Sequence, residues 1–179
     1  MISPFAPYLA EELWEMIGKK KFISLSEWPK YDKKRISKEV EFMEELIENT
    51  NKDISHIKDL SGIIPTKLQI FISEPWKYDL MKNIKREIEN TRDVGVIIKK
   101  VMIKGYEKDV AAIVSSVIKD QSKLPTCVLT QKEEFTALND AKDLISKQFN
   151  CGVEVVKAEE SKEGKARQAM PGKPAILLK

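Results

Sequence analysis

Histidine is almost absent from this chain of 179 residues, and glycine and cysteine are scarce. There are one histidine, seven glycines and two cysteines. A zinc site needs several convergent ligands, and none are spaced for it. The phosphate-binding patterns G-x-x-x-x-G-K-[ST] and G-x-G-x-x-G do not occur, nor does a nucleophile elbow. The sequence therefore predicts no catalytic residue, no cofactor-binding residue and no metal site.

Long apolar runs and a secretion leader are also missing. The longest uncharged apolar runs are a few residues, such as Val110–Val114, far short of a membrane span. The N-terminal stretch "MISPFAPYLAEELW" lacks the basic region and apolar core of a signal peptide. Cys127 and Cys151 form no C-x-x-C pair, which favours two free thiols in a reducing compartment. We expect a cytoplasmic protein with no membrane partner.

Charge is plentiful and unevenly distributed. Charged residues make up 33% of the chain, with 31 Lys and Arg against 28 Asp and Glu. Residues 19–38 hold eight cations and two anions, and residues 162–179 hold five cations and one anion. A net charge of +3 permits nucleic-acid binding without indicating it. The separation suggests a polarised surface, although solvated faces are charged in any case.

The first 62 residues read as helical. Phe5, Leu9, Leu13 and Ile17 recur at four-residue steps, which predicts a helix that starts at residue 4 or 7 and ends near Gly18. A basic linker follows. A second helix is expected to begin near Lys34, with a heptad seam formed by Ile36, Val40, Met43, Ile47, Thr50, Ile54, Ile57 and Ser61. The two helices look like half of an antiparallel bundle.

The pattern changes after Pro65. Alternation from Leu68 to Ile72 predicts a strand, with Ser73 as the cap of the helix that follows. In this part of the chain, apolar spacing predicts four helices, and "TCVLT", "VEVV" and "AILLK" are strand candidates. The fold class is therefore α+β: a partial helical bundle over residues 1–62, then a small mixed α/β domain over residues 63–179 with a sheet of three or four strands.

Two groups of residues carry a family resemblance. "SPFAPYLAEELWEMIG" (residues 3–18) resembles a late helix of the anticodon-binding bundle in class I aminoacyl-tRNA synthetases of the leucyl/isoleucyl/valyl/methionyl group. "PTKLQIFISEPWKYDLMKNI", "TRDVGVIIKKVM" and "GKARQAMPGKPAILLK" are similar to the C-terminal extension of archaeal and eukaryotic-cytosolic leucyl-tRNA synthetases. The resemblance covers nearly the whole chain.

The resemblance implies a tRNA-binding fragment without its own active site. One histidine cannot supply the family's His-x-Gly-His signature, and its Lys-Met-Ser-Lys-Ser loop is absent. ATP-dependent leucylation would then belong to the remainder of the synthetase chain. In this family the bundle packs along the corner of the tRNA, and the archaeal-type C-terminal domain reaches the long variable arm of leucine tRNA.

The C-terminal residues are the candidate RNA-binding site. Lys165 and Lys173 each follow a glycine, an arrangement that presents backbone N–H groups beside a charge. Arg167 adds a planar donor fork that suits phosphate or guanine. The resemblance carries tRNA contact to these residues and to the end of the chain. The full candidate set is Lys165, Arg167, Lys173, Ile176, Leu177, Leu178 and Lys179.

Three other interpretations stay open at this point. The chain could be a module that docks a synthetase to protein partners, or the corresponding region of another synthetase of the same group. It could also be mainly structural, in which case the apolar faces of the two first helices would be exposed. For the C-terminal strand, we expect residues 174–176 to be anchored in a sheet and the last residues to be available for RNA.

Overall fold

The structure, a computed structural model, describes residues 2–28, 30–32, 36–120, 123–125 and 127–179. Within these residues it contains six α-helices and a three-stranded sheet, which confirms the predicted α+β class. The chain divides into two compact units, Met1–Ile36 and Ser37–Lys179. The predicted domain boundary lies elsewhere, at residue 62, and it stays a prediction. Among the described residues, no helix combines the length and apolar character needed to cross a bilayer.

The first unit contains one helix, α1 (Pro7–Met16). Pro7 stands in its first turn, where a missing N–H costs nothing, so the helix starts at the later of the two prolines. Gly18 follows with φ of 80°. The Glu11 carboxylate accepts a hydrogen bond from the Ile23 amide at 2.7 Å, which ties the 3₁₀ turn Ile23–Leu25 to the helix.

The predicted apolar stripe of α1 is exposed within this unit. Phe5 is 91% exposed, and Leu9, Leu13 and Ile17 are between 42% and 64% exposed. This is the outcome expected for bundle helices that lack apolar partners.

The second unit begins with α2 (Lys38–Ser61), a continuous helix of 24 residues. The predicted start near Lys34 falls outside the described residues, and Ser37 caps the helix by accepting from the Val40 amide. Gly62 ends it in the left-handed region, with φ of 64°. Of the predicted seam, Thr50 and Ile54 are fully buried, Met43, Ile47 and Ile57 are partly buried, and Ile36 and Val40 are exposed.

Three strands form the sheet: β1 (Lys67–Ile72), β2 (Gly152–Lys157) and β3 (Ala175–Leu178). β1 is central, parallel to β2 and antiparallel to β3. Ile70 lies opposite Val155 on one side and Ile176 on the other. Since β1 is covered on both faces, its apolar residues run almost without interruption.

Four helices complete the second unit: α3 (Pro75–Asn90), α4 (Val94–Val101), α5 (Glu107–Lys119) and α6 (Gln131–Phe149). One core cluster joins α2 and α6 to the sheet and is centred on Ile54, Ile70 and Leu138. A second cluster joins α3, α4 and α5, with Ile84, Ile97 and Val114 fully buried. The helices predicted from apolar spacing after residue 73 are all present.

Two local predictions are wrong. The segment "TCVLT" is not a strand: residues 127–130 have no strand pairing, Leu129 is buried, and Thr126 lies outside the described residues. Thr130 instead caps α6 in a reciprocal capping box with Glu133. Ser73 does not cap α3, whose N-cap is Glu74; its hydroxyl donates to the Ala169 carbonyl at 3.0 Å.

Candidate functional site

Three of the four predicted cations, Lys165, Arg167 and Lys173, lie on the segment that joins β2 to β3. We call this segment the β2–β3 connection (residues 158–174). It contains two 3₁₀ turns, Ala158–Glu160 and Gly164–Gln168. Its small buried side chains Ala158, Ala166 and Ala169 let it lie close to the sheet, where they pack around Phe71 together with Ala175 of β3. The connection is therefore an ordered part of the domain surface.

The connection ends in a tight turn. The amide of Met170 donates to the Lys173 carbonyl at 3.0 Å, and the amide of Lys173 donates back at 2.9 Å. Pro171 and Gly172 form the two central positions, and Gly172 has φ of 75°. Proline followed by a residue with positive φ is typical of a type II turn. The Pro-Gly pair of the sequence thus fixes the backbone that carries Lys173.

Two of the four predicted cations meet at one groove. Lys165 and Lys173 both line a groove of about 300 Å³ between α2 and the connection, and both residues are exposed. His56 of α2 and Gln168 add further polar groups to its lining, and Asp53 is the acidic residue there. Ammonium, imidazole and carboxamide groups are donors suited to phosphate oxygens. We call this surface the basic groove.

Arg167 does not line the basic groove, although it is exposed and belongs to the same 3₁₀ turn as Lys165. Among the residues that the structure describes, none of Lys165, Arg167 and Lys173 forms a salt bridge. Their charges are therefore not cancelled by direct carboxylate partners.

The C-terminal candidates are part of the sheet. Ile176 is 3% exposed and belongs to the main core, while Leu177 and Leu178 are half-buried on opposite sides of β3. The pairing with β1 continues beyond Leu178, because the Lys179 carbonyl accepts from the Lys67 amide at 2.9 Å. The backbone of the last residues is thus paired in the sheet, and their availability for RNA stays a prediction.

Lys179 is exposed, but its ammonium lies 2.7 Å from the Glu163 carboxylate. The whole predicted set therefore divides in two. Lys165, Arg167 and Lys173 present exposed charges, whereas Ile176, Leu177 and Leu178 pack in the sheet and Lys179 is paired. Direct RNA contact by the last four residues stays a prediction.

A buried lysine holds the middle of the connection. Lys77 of α3 is 5% exposed, and its ammonium donates to the carbonyls of Arg167 at 2.6 Å and Ala169 at 2.9 Å. It also lies 5.6 Å from the centre of the Trp76 ring. Burial lowers the pKa of Lys77, an effect that the carboxylates of Glu74 and Asp109 oppose. The ammonium thus satisfies carbonyls that the short turn leaves without backbone partners.

A buried glutamate holds the end of the connection. Glu134 of α6 is 1% exposed. One carboxylate oxygen accepts from the Tyr78 hydroxyl and the other from the Gly172 amide, both at 2.6 Å. Burial raises the pKa of Glu134 to about 7, while the two hydrogen bonds act in the opposite direction. Burial also raises the pKa of Tyr78, and the Glu134 carboxylate adds to that rise.

A second, larger groove of about 820 Å³ lies on the other side of the turn, between α2 and α5. It shares Asp53, Met170, Lys173 and Pro174 with the basic groove. Its lining mixes apolar residues such as Phe42 with both acidic and basic ones, so it has no single electrostatic character. Lys173 thus stands at the border of two concave surfaces.

The structure adds residues that the sequence did not identify. Nothing in the sequence neighbourhood of His56 links it to residues more than 100 positions later. Gln168, Lys77 and Glu134 were likewise missed, because long-range contacts define their roles. Across the described part of the chain, no cluster of three or more His, Cys, Asp or Glu residues is arranged to hold a metal.

Comparisons with known proteins agree with the family resemblance of the sequence. A family model described as the anticodon-binding domain of tRNA ligase matches residues 1–106. The leucine–tRNA ligase of Methanothermobacter thermautotrophicus is 34% identical over 182 residues, which cover 99% of this chain and 19% of the relative.

Other relatives give similar values. The leucine–tRNA ligases of Staphylothermus marinus and Methanococcus vannielii are each 32% identical over 99% of this chain and 18% of their own length. The chain therefore spans about a fifth of the length of the curated relatives it matches.

Proposed function

The chain belongs to the family of anticodon-binding domains of tRNA ligases, and we propose that it binds leucine tRNA for an archaeal-type leucyl-tRNA synthetase. Its task is to hold the tRNA at the corner and the long variable arm. ATP-dependent leucylation is carried out by catalytic residues of the synthetase outside this chain, and the protein works in the cytoplasm.

The basic groove is the observation that carries this proposal. Lys165 and Lys173 are eight residues apart in the sequence, yet they line one surface together with His56 and Gln168. RNA-binding surfaces commonly use such donors on phosphates to set register. The apolar floor, which includes Ile57 and Pro174, lets the aliphatic parts of the lysines pack while their charges face outward.

Arg167 has a separate part in the proposal. It is exposed next to the groove in sequence but does not line it, so it contacts a neighbouring phosphate or a base edge. For Ile176, direct RNA contact requires β3 to leave its pairing with β1, because Ile176 is 3% exposed. Leu177 and Leu178 are half-buried and offer only part of their side chains. We therefore assign the main binding energy to the three cations.

The experiment measures binding of the chain to leucine tRNA and to the same tRNA with a shortened variable arm, each at several salt concentrations. The double variant K165M/K173M should lose two phosphate contacts, so its log–log salt slope should fall by roughly 0.7–0.9 per lysine. The matched control is K142M/K147M, which removes two exposed lysines of α6 and should leave the slope unchanged.

Each result bears on one part of the proposal. Equal affinity for the full and shortened tRNAs would exclude the variable arm as the contact. Failure of the wild-type chain to bind either tRNA would overturn RNA binding itself. It would favour the alternative of a protein-docking or structural role, for which the exposure of Phe5, Tyr8 and Met16 on the first unit is the supporting observation.

A further inference from the structure

Resting on the proposed function, we infer that Glu134 is a positioning residue for RNA binding: it fixes the Pro171–Gly172 turn and so places Lys173 beside Lys165. Glu134 lies on α6, away from the lining of the basic groove. It acts on the groove through the backbone of the turn.

The first argument is the geometry of the contact. In the turn, the carbonyl and amide of Met170 pair with Lys173, which leaves the Gly172 amide without a partner inside the turn. The Glu134 carboxylate accepts that amide at 2.6 Å. In its ionised form the carboxylate makes this hydrogen bond stronger than a neutral acceptor would. The residue after Gly172 is the groove lysine itself.

The second argument is that the carboxylate is itself held in place. Its other oxygen accepts from the Tyr78 hydroxyl, also at 2.6 Å, and Tyr78 is 3% exposed. Tyr78 lies on α3 and Glu134 on α6, so two helices fix the group that grips the turn. A buried charged side chain is costly unless it is fully hydrogen-bonded, and here both oxygens have donors.

Two substitutions separate positioning from simple filling of space. E134M keeps a similar volume but leaves the Gly172 amide and the Tyr78 hydroxyl without their acceptor. E134Q keeps an acceptor for the Gly172 amide, and its amide group can donate to the Tyr78 oxygen. The positioning role therefore predicts that E134M loses the protection of the Gly172 amide and part of the RNA affinity, and that E134Q retains both.

The first readout needs no RNA. Hydrogen exchange of the Gly172 amide should be slow in the wild type and in E134Q, and at least tenfold faster in E134M under conditions where all three are folded. A Gly172 amide that exchanges in the wild type as fast as exposed loop amides would overturn the inference, even if E134M fails to fold.

The second readout is binding of leucine tRNA. E134M should weaken binding by about fivefold, comparable with the loss of one phosphate contact. The double variant E134M/K173M should bind as tightly as K173M alone. An equal loss in both backgrounds would show that Glu134 does not act through Lys173. If the wild type binds no tRNA, the proposed function fails, while the exchange experiment still decides whether Glu134 positions the turn.

Discussion

The ammonium of Lys77 lies 2.6 Å from the carbonyl oxygen of Arg167, a residue 90 positions later in the chain. It reaches the Ala169 carbonyl as well, at 2.9 Å. A buried cation on α3 thus supports the backbone of a turn whose side chains carry exposed cations. Positive charge thus occurs in two settings here, buried at Lys77 and exposed at Arg167.

Replacement of Lys77 by methionine should therefore destabilise the domain. The aliphatic part still fits, but the Arg167 carbonyl loses its partner, which should cost about 1–3 kcal/mol of unfolding free energy. Urea denaturation measures this loss. K82M, at an exposed position of the same helix, is the control and should change stability by less than about 0.5 kcal/mol. Equal effects of the two variants would contradict the role given to Lys77.

Glu134 should make stability depend on pH. Its pKa is about 7 in the folded chain, against an ordinary value of 4.5, so between these values the folded state binds more protons than the unfolded state. The unfolding free energy should fall as pH rises through that window and then level off. The rise of the Glu134 pKa from 4.5 to about 7 corresponds to a total change of about 3 kcal/mol in the unfolding free energy.

The E134Q variant tests this dependence, because glutamine does not titrate. Denaturation at pH 5 and pH 8 should show a smaller loss of stability with rising pH for E134Q than for the wild type. E44Q, an exposed carboxylate of α2, should retain the wild-type difference. If E134Q also retained it, titration of Glu134 would not be its source.

Ile176 should matter for folding before it matters for binding. Its side chain is 3% exposed in the main core, and its backbone lies opposite Ile70. I176A should reduce stability by about 2–5 kcal/mol because it leaves a cavity. L144A, which truncates a side chain of α6 that is 69% exposed, should have little effect in the same thermal or urea unfolding experiment. A stable I176A would indicate that β3 contributes little to the core.

The capping box of α6 gives a local prediction. Thr130 accepts from the Glu133 amide, and the Glu133 carboxylate accepts from the Thr130 amide at 2.7 Å. T130A should therefore cost about 0.5–2 kcal/mol, and T130S should recover most of it. Denaturation of both variants measures the difference, and no recovery with serine would show that the threonine methyl group carries the effect.

Much of the fold could be predicted from short-range patterns. Alternation placed β1, and helical spacing placed α3 to α6, because these signals depend on neighbours within a few residues. The prediction of a strand at "TCVLT" was wrong because β-branched and apolar residues also occur where a loop is buried. Leu129 fills the core there, and Thr130 serves as a helix cap. A short run does not distinguish these cases.

The site was only partly predictable for a different reason. The lysines that follow glycines, and the nearby Arg167, could be identified from the order of residues in the sequence. The structure brings Lys165 and Lys173 together. Their neighbour His56 and their support residue Glu134 come from distant elements, and a single sequence carries no sign of such contacts. For the C-terminal residues, the pairing of β3 with β1 depends on a strand more than 100 positions earlier, so a local apolar pattern does not reveal how far the pairing extends.

The sheet order also bears on how the protein is made. β1 is synthesised about 80 residues before β2 and more than 100 before β3, yet it is the strand between them. A growing polypeptide therefore carries an apolar strand with both edges unpaired until β2 has been made. Unpaired strand edges invite aggregation, and the pairing with β2 and β3 removes both edges of β1.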